Sequence, residues 1–479
     1  VRVLFAAAEV YPLVKTGGLA DVAAALPAAL LAQGISMRVI MPAYRGVAGQ
    51  LPDLVTIGSV AVRGQSLRVI EGRHPDSGVP LLLLDAPFLF DRGGNPYLDA
   101  HGFPHSDNAL RFATFCEAVA QIACGALGRE QAADIVHLND WHTGLVPACL
   151  AERTARPRTL LTIHNLAYQG IYDRAQFTAL GLPESLWHPG AAEFHGDFCF
   201  LKAGLQLADL LTTVSPTYAR EIQTPEFGER LDGVLRERAS LLTGILNGID
   251  DVVWNPATDP LIEQCYDATT VVAGKSANKR ALQRELGLDA GDDPLLAFIG
   301  RLAYQKGADA LLAARADLDR LPLQLVILAS GDRGLEQGFA EWASSRPGRV
   351  ATSTAHDERL AHRIEAGADM LIMPSRFEPC GLNQMYSQRY GTIPLVRRVG
   401  GLADSVDDLG SARGTGIHFE NTDAGGVTYA VRTALELHQQ REAWRRVQAN
   451  GMARDWSWTR SAQQYVEIYR SLLAGIDRI

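Results

Sequence analysis

A carboxylate stands in an unusual place at Glu378, within Pro374-Ser375-Arg376-Phe377-Glu378-Pro379-Cys380-Gly381-Leu382, a stretch that links a short apolar run to a helical pattern. Pro379 and Gly381 set the backbone path, and a helix beginning near Leu382 points its free N–H groups back at whatever the loop holds. A carboxylate there can accept sugar hydroxyls; the plainer alternative is that it favours the helix N-terminus electrostatically. A second stretch, Ile299-Gly300-Arg301-Leu302-Ala303-Tyr304-Gln305-Lys306-Gly307, carries two cations five residues apart on another strand-to-helix turn. Arg301 as a planar fork and Lys306 as a point charge can both reach one pyrophosphate, whereas an isolated Lys or Arg is ordinarily just solvated.

The pentapeptide Gly-Gly-Leu-Ala-Asp occurs at 17–21 and again at 400–404, each time after a short apolar run and at the head of a helical pattern. Backbone N–H groups at such glycine turns suit phosphate or sugar oxygens, and Lys15 stands just before the first copy. Two further strand ends carry His137-Leu138-Asn139-Asp140-Trp141-His142 and Thr162-Ile163-His164-Asn165-Leu166-Ala167-Tyr168-Gln169-Gly170. Their His and Asp spacing matches no common zinc motif, so hydrogen-bonded structural histidines are expected in place of a metal site.

Elements that could position these residues alternate along the chain. Strands are expected at 2–6, 38–41, 81–84, 135–138, 159–163 and 210–214, with amphipathic helices at 20–32 and 108–124. Turn chemistry at Asn247-Gly248-Ile249-Asp250 and Asn255-Pro256 marks a boundary, after which strands recur at 295–299, 323–328, 370–373 and 393–396. The order predicts an α/β protein with parallel sheets. At 479 residues the chain exceeds what one core usually organises, so two domains are expected.

Composition narrows the partners. A formal net charge of −9 argues against nucleic acid or an anionic membrane, and an anionic ligand would need a local cluster of cations. Cys116, Cys124, Cys149, Cys199, Cys265 and Cys380 show no CxxC spacing, as expected of reduced thiols in a cytosolic protein. The apolar run at 3–8 is too short for a signal-peptide core, and no later run suits a membrane span, so a cytoplasmic location is expected.

Taken together, Lys15-Thr16-Gly17-Gly18-Leu19-Ala20-Asp21, Asp140-Trp141-His142, Thr162-Ile163-His164-Asn165, Asn247-Gly248-Ile249-Asp250, Arg301 to Lys306, Ser375 to Leu382 and the second glycine pentapeptide resemble the bacterial glycogen synthase and plant starch synthase family over essentially the whole length. The resemblance implies two Rossmann-like domains facing across a cleft (the GT-B arrangement). Residues 1–246 would form the acceptor-side domain, with 457–479 returning to it as a helix, and 247–456 the nucleotide-sugar domain. It implies a retaining glucosyltransferase that moves glucose from ADP-glucose to the non-reducing end of glycogen or another α-1,4-glucan, with no metal and no cofactor. By motif, Lys15, Arg301 and Lys306 would meet the donor phosphates, together with Gly17 and Gly18. Glu378 and the backbone of Cys380, Gly381 and Leu382 would meet the glucosyl hydroxyls. His164 would lie beside the anomeric centre, and Asp140, Asn165 and Asn247 would complete the sugar pocket.

Four positions depart from the family pattern: Asn383 stands for a usual Thr near the distal phosphate, His356 for the Tyr that stacks on adenine, Asn139 for a His and Ala329 for a Gly. They bear on nucleotide preference more than on reaction class. A UDP-glucose donor, a small acceptor, or a weakly active glucan-binding paralogue are the alternatives. An NAD oxidoreductase is disfavoured because neither half has a convincing G-x-G-x-x-G turn followed by an acidic residue.

Overall fold

The computed structural model describes residues 1–475 except 152, 154 and 356. It divides into two compact units. One gathers Val1–Val214, Ala219–Asn247 and the closing helix Trp458–Ala474; the other gathers Ser215–Tyr218 and Gly248–Ser457.

In the first unit the strands are β1 (Arg2–Ala6), β2 (Ser36–Pro42), β3 (Val55–Val62), β4 (Gln65–Arg73), β5 (Pro80–Asp85), β6 (Ile135–Asn139), β7 (Arg158–Ile163), β8 (Ile171–Tyr172), β9 (Glu193–Phe194), β10 (Asp197–Cys199), β11 (Leu210–Thr213) and β12 (Leu242–Gly244). Nine of them form one sheet in the order β12-β11-β7-β6-β1-β2-β5-β4-β3. The central strands are apolar runs without alternation because helices cover both faces, as parallel sheets require. Phe5 lies opposite His137, and His137 opposite Leu160, so the loops leaving β1, β6 and β7 emerge side by side. That is where an open α/β sheet binds ligands.

The hairpin β3–β4 was not among the expected strands. It turns at Arg63 and Gly64, both at positive φ, in the two-residue connection that matches strand twist; β3 forms the edge of the sheet and β4 pairs it to β5. The small antiparallel sheet β8-β10-β9 was likewise unanticipated, since two- and three-residue strands carry no readable period.

The second unit holds β13 (Leu295–Leu302), β14 (Gln324–Gly331), β15 (Val350–Ser353), β16 (Met370–Met373), β17 (Ile393–Arg397) and β18 (Ile417–Phe419), all parallel, in the order β15-β14-β13-β16-β17-β18. Strands β15 and β18 are short edge strands that the pattern did not disclose. Leu296 pairs with Met370 at the centre, so the loops after β13 and β16 leave the sheet as neighbours. One face of the sheet packs Phe298, Ile327 and Ile372 against Leu311, Trp342 and Val431 of the covering helices; the other packs Ala297 and Leu371 against Leu282 and Ile364.

The closing helix buries Trp458, Ala462, Tyr465, Tyr469 and Leu472, and packs on the helix Gly18–Ala32. Ser461 donates to the Leu246 carbonyl at 2.6 Å and Gln33 to the Thr459 carbonyl at 3.2 Å. No helix of the described residues is long and apolar enough to cross a membrane.

Candidate active site

In the second unit the two cation- and carboxylate-bearing loops are stitched together. Gly307, at φ 65°, lies so close to Pro374 that a Cβ there would come within 2.0 Å of its carbonyl oxygen. Arg376 N donates to the Gln305 carbonyl at 2.8 Å, and the Arg376 guanidinium binds Asp309 and stacks on Tyr304. The result is that Lys306 Nζ meets Glu378 Oε2 at 2.6 Å, and the Ser375 hydroxyl donates to the same oxygen at 2.9 Å. Glu378 is buried, Lys306 half-buried, and Arg301 exposed.

Cys380, Gly381 and Leu382 run from this carboxylate into the helix Asn383–Arg389, with Gly381 at φ 71°. That conformation suits glycine, and a Cβ would fall 2.5 Å from Gln384 Oε1. Gln384 in turn donates to the carbonyls of Cys380 and Gly381, each at 3.1 Å. The second glycine pentapeptide buttresses the same loop: Gly401 N donates to the Glu378 carbonyl at 2.9 Å, and a Cβ on Gly401 would sit 2.1 Å from the Cys380 oxygen. Asn383 spends its amide on the Ile299 carbonyl at 2.9 Å, which ties the helix to β13. His356 lies outside the described residues.

In the first unit Asp140 terminates β6 in a left-handed conformation, φ 56°. Its Oδ1 accepts His164 N at 2.7 Å and Asn165 N at 3.4 Å, which binds the end of β6 to the end of β7. Trp141 follows and lies against Gly170, where a Cβ would be 2.3 Å from the indole. Asn139 Nδ2 donates to the Ala6 carbonyl at 3.0 Å, which leaves Oδ1 to face His164 Nε2 at 2.8 Å. An oxygen there requires His164 to carry its proton on Nε2. Burial pushes His137, His142 and His164 down to about 3, so all three are neutral, and pushes Asp140 up to about 7.

Lys15 and Gly17 are exposed on the loop after β1 and Gly18 is exposed at the first position of the helix, with Lys15 Nζ 2.8 Å from Asp21 Oδ1. Gly17 caps the helix without a side chain of its own. Asn247 is buried at the end of the first unit. The expected residues therefore fall into two sets, Lys15 to Asn247 in the first unit and Arg301 to Asn383 in the second.

Residues 2–237 match the family model of the starch synthase catalytic domain, and residues 278–450 that of glycosyl transferases group 1. Glycogen synthase 1 of Methylococcus capsulatus is 49% identical over 99% of this chain and 97% of its own length. The chain belongs to the bacterial glycogen synthase family. A second family member, glycogen synthase 2 of Nitrosococcus oceani, is 46% identical over 99% of this chain and 98% of its own. The catalytic domain of starch synthase IV from Arabidopsis thaliana, solved with ADP and acarbose bound, superposes with a TM-score of 0.88 at 32% identity, covering 99% of each chain. Sucrose-phosphate synthase from Thermosynechococcus elongatus shares the fold, at a TM-score of 0.62 and 20% identity over 99% of each chain. The chain is thus a glycosyltransferase of the GT-B class, with largely parallel sheets in two units.

Glu9, Ser375 and Gln384 support the site without having been expected from the motifs. Ser375 and Gln384 lie inside or beside a named motif and could have been suspected as its supports. Glu9 ends an apolar run, where an acidic residue is out of keeping with a buried strand end, and that was its signal.

Proposed function

We propose that the protein transfers glucose from ADP-glucose to the non-reducing end of an α-1,4-glucan such as glycogen, with retention of anomeric configuration and release of ADP. The observation that carries this reading is the Lys306–Glu378–Ser375 cluster, set on neighbouring loops at the carboxyl ends of β13 and β16. The relative solved with ADP and acarbose supports the choice of nucleotide and of a glucan-like acceptor.

Each residue has a physical task. As the glycosidic bond stretches, the departing diphosphate gains negative charge, and Arg301 and Lys306 stabilise that charge most in the transition state. Lys15 has the same task on its glycine loop, beside Gly17 and Gly18. Glu378 is oriented through Oε2, so Oε1 accepts from the glucosyl hydroxyls, alongside the backbone of Cys380, Gly381 and Leu382. The His164 main-chain carbonyl stabilises positive charge developing at the anomeric carbon; Asp140 fixes that peptide by holding His164 N. Asn165 and Asn247 complete the hexose site. The acceptor hydroxyl attacks on the face the leaving group vacates, and its proton passes to the phosphate.

A second reading, in which the donor is UDP-glucose, is favoured by His356, which stands where the family resemblance calls for the Tyr that stacks on adenine and offers a smaller ring face. Assaying ADP-glucose and UDP-glucose separately with glycogen, and following nucleotide release, separates the two. ADP release that requires glycogen is expected. UDP release at the higher kcat/KM would replace the donor, labelling of small glucosides with glycogen ignored would replace the acceptor, and a β-linked product would rule out retention.

A further inference from the structure

Glu9 follows β1 and is only 3% exposed, yet among the described residues no cation forms an ion pair with it. Its Oε2 accepts the backbone N–H groups of Thr16 and of Gly17, the latter at 3.2 Å, and its Oε1 accepts the Tyr97 hydroxyl. Thr16 and Gly17 are the two residues after Lys15, and Gly17 begins the helix Gly18–Ala32 without a capping side chain. Glu9 therefore accepts the N–H of the N-cap residue from within the fold, as the glutamate of a capping box does from inside its own helix.

Tyr97 is held just as firmly. It belongs to a loop in which Asn95 Oδ1 accepts Tyr97 N and Leu98 N, each at 2.8 Å, and Asp99 Oδ1 accepts His101 N and Phe103 N at 2.8 and 3.0 Å. The Tyr97 ring stacks on His142 with centroids 4.7 Å apart. Arg111, almost fully buried, ties the same loop down through the carbonyls of Leu89 and Pro96, each at 2.9 Å.

We propose that Glu9 is a positioning residue for the donor: its three hydrogen bonds lock the peptide that follows Lys15 to the Tyr97 loop, and so fix where the Lys15 ammonium stands. The inference rests on the reading above that Lys15 meets the donor phosphates. A point charge on a long flexible stem gains most from a fixed root, because the immobilisation that binding would otherwise demand is already in place. Glutamine at position 9 keeps the volume but replaces one acceptor oxygen with an amide donor. It must then face either the two backbone N–H groups or the tyrosine hydroxyl with another donor.

The test measures kcat and KM for ADP-glucose and for glycogen in the parent, Glu9→Gln, Tyr97→Phe, Lys15→Ala and the double variant Glu9→Gln/Lys15→Ala. Glu9→Gln is expected to raise the donor KM about 10-fold, with kcat within about 3-fold and the glycogen KM unchanged. Tyr97→Phe, which deletes one bond and keeps the ring, is expected to raise the donor KM about 3-fold, and this variant decides the matter should Glu9→Gln fail to fold. In the double variant the donor KM is expected to equal that of Lys15→Ala, because Glu9 acts through Lys15. A donor KM raised by Lys15→Ala but unmoved by Glu9→Gln, or by Tyr97→Phe where Glu9→Gln does not fold, overturns the positioning role, as do multiplying effects in the double variant. An unmoved donor KM in Lys15→Ala overturns the donor role of Lys15 itself.

Discussion

Lys306 and Glu378, 72 residues apart, form an ion pair at 2.6 Å in which a carboxylate assigned to the hexose orients a cation assigned to the diphosphate. On the proposed roles the pair couples the two halves of donor recognition, with each residue supporting the other's geometry. Lys306→Ala and Glu378→Ala are each expected to lower kcat by ~10² or more, about 3 kcal/mol, the usual size of one lost transition-state contact. The double variant is expected to lose less than the product of the single losses. Steady-state rates with ADP-glucose check this. A near-parental rate in either single variant removes the role given to that residue, and fully multiplicative losses deny the coupling.

Gly401 offers a test of the support beneath that pair. A methyl group there must displace the Cys380 carbonyl, which its Cβ would approach to 2.1 Å, and the displacement passes to the loop that carries Glu378. Gly401→Ala is expected to lower kcat/KM by about 10-fold or more while the protein still folds, since a misplaced catalytic loop costs far more in rate than in stability. Activity at the parental level, with the protein folded, would show that the second glycine pentapeptide does not brace the site.

Asp140 gives a pH dependence with a definite sign. Burial raises its carboxyl to about 7, so the folded state keeps the proton up to that pH, while the unfolded chain releases it near 4. The stability this group contributes is full below about pH 4 and is lost as pH rises through about 7. Asn in its place still accepts from His164 N and has no charge to bury. The Tm of Asp140→Asn minus that of the parent is expected to grow between pH 4 and 7 and level off above, with activity reduced throughout. A Tm difference independent of pH would exclude a raised Asp140.

Tyr469 tests how the closing helix is anchored. Its hydroxyl lies 2.7 Å from His137 Nδ1, and His137 Nε2 lies 2.7 Å from the Thr162 hydroxyl, all fully buried. Tyr469→Phe strands one imidazole nitrogen and is expected to cost about 1–3 kcal/mol in denaturant unfolding of the first unit, with kcat little changed at 25 °C. Removal of everything after Asp455 is expected to leave the first unit insoluble or unfolded, because Trp458, Ala462, Tyr465 and Tyr469 cover its helix Gly18–Ala32. A truncated chain with parental solubility and unfolding midpoint would contradict this.

Much was legible in the sequence because it is written locally. An unbroken apolar run such as Leu81 to Leu84 means a strand covered on both faces, and a glycine before a helical pattern means a strand-to-helix turn. Those signals marked the central strands of both sheets and placed Glu378, Lys306 and His164 at strand ends. They did not disclose β15 and β18, which are too short to show a period, nor the hairpin β3–β4.

The two Gly-Gly-Leu-Ala-Asp copies mark where local information stops. Both start helices, as identical turn chemistry requires, yet Asp21 pairs with Lys15 at 2.8 Å, while the Asp404 carboxylate accepts the N–H and hydroxyl of Thr217, each at 2.6 Å. Likewise nothing near Glu9 announces Tyr97, 88 residues away. The sequence by itself determined the alternation of strands and helices, the glycine turns and the chemical character of the residues on them, because propensity and burial period act over a few neighbours. Only the tertiary structure decided which acid meets which donor, because those partners are set by strand order and register between segments distant along the chain.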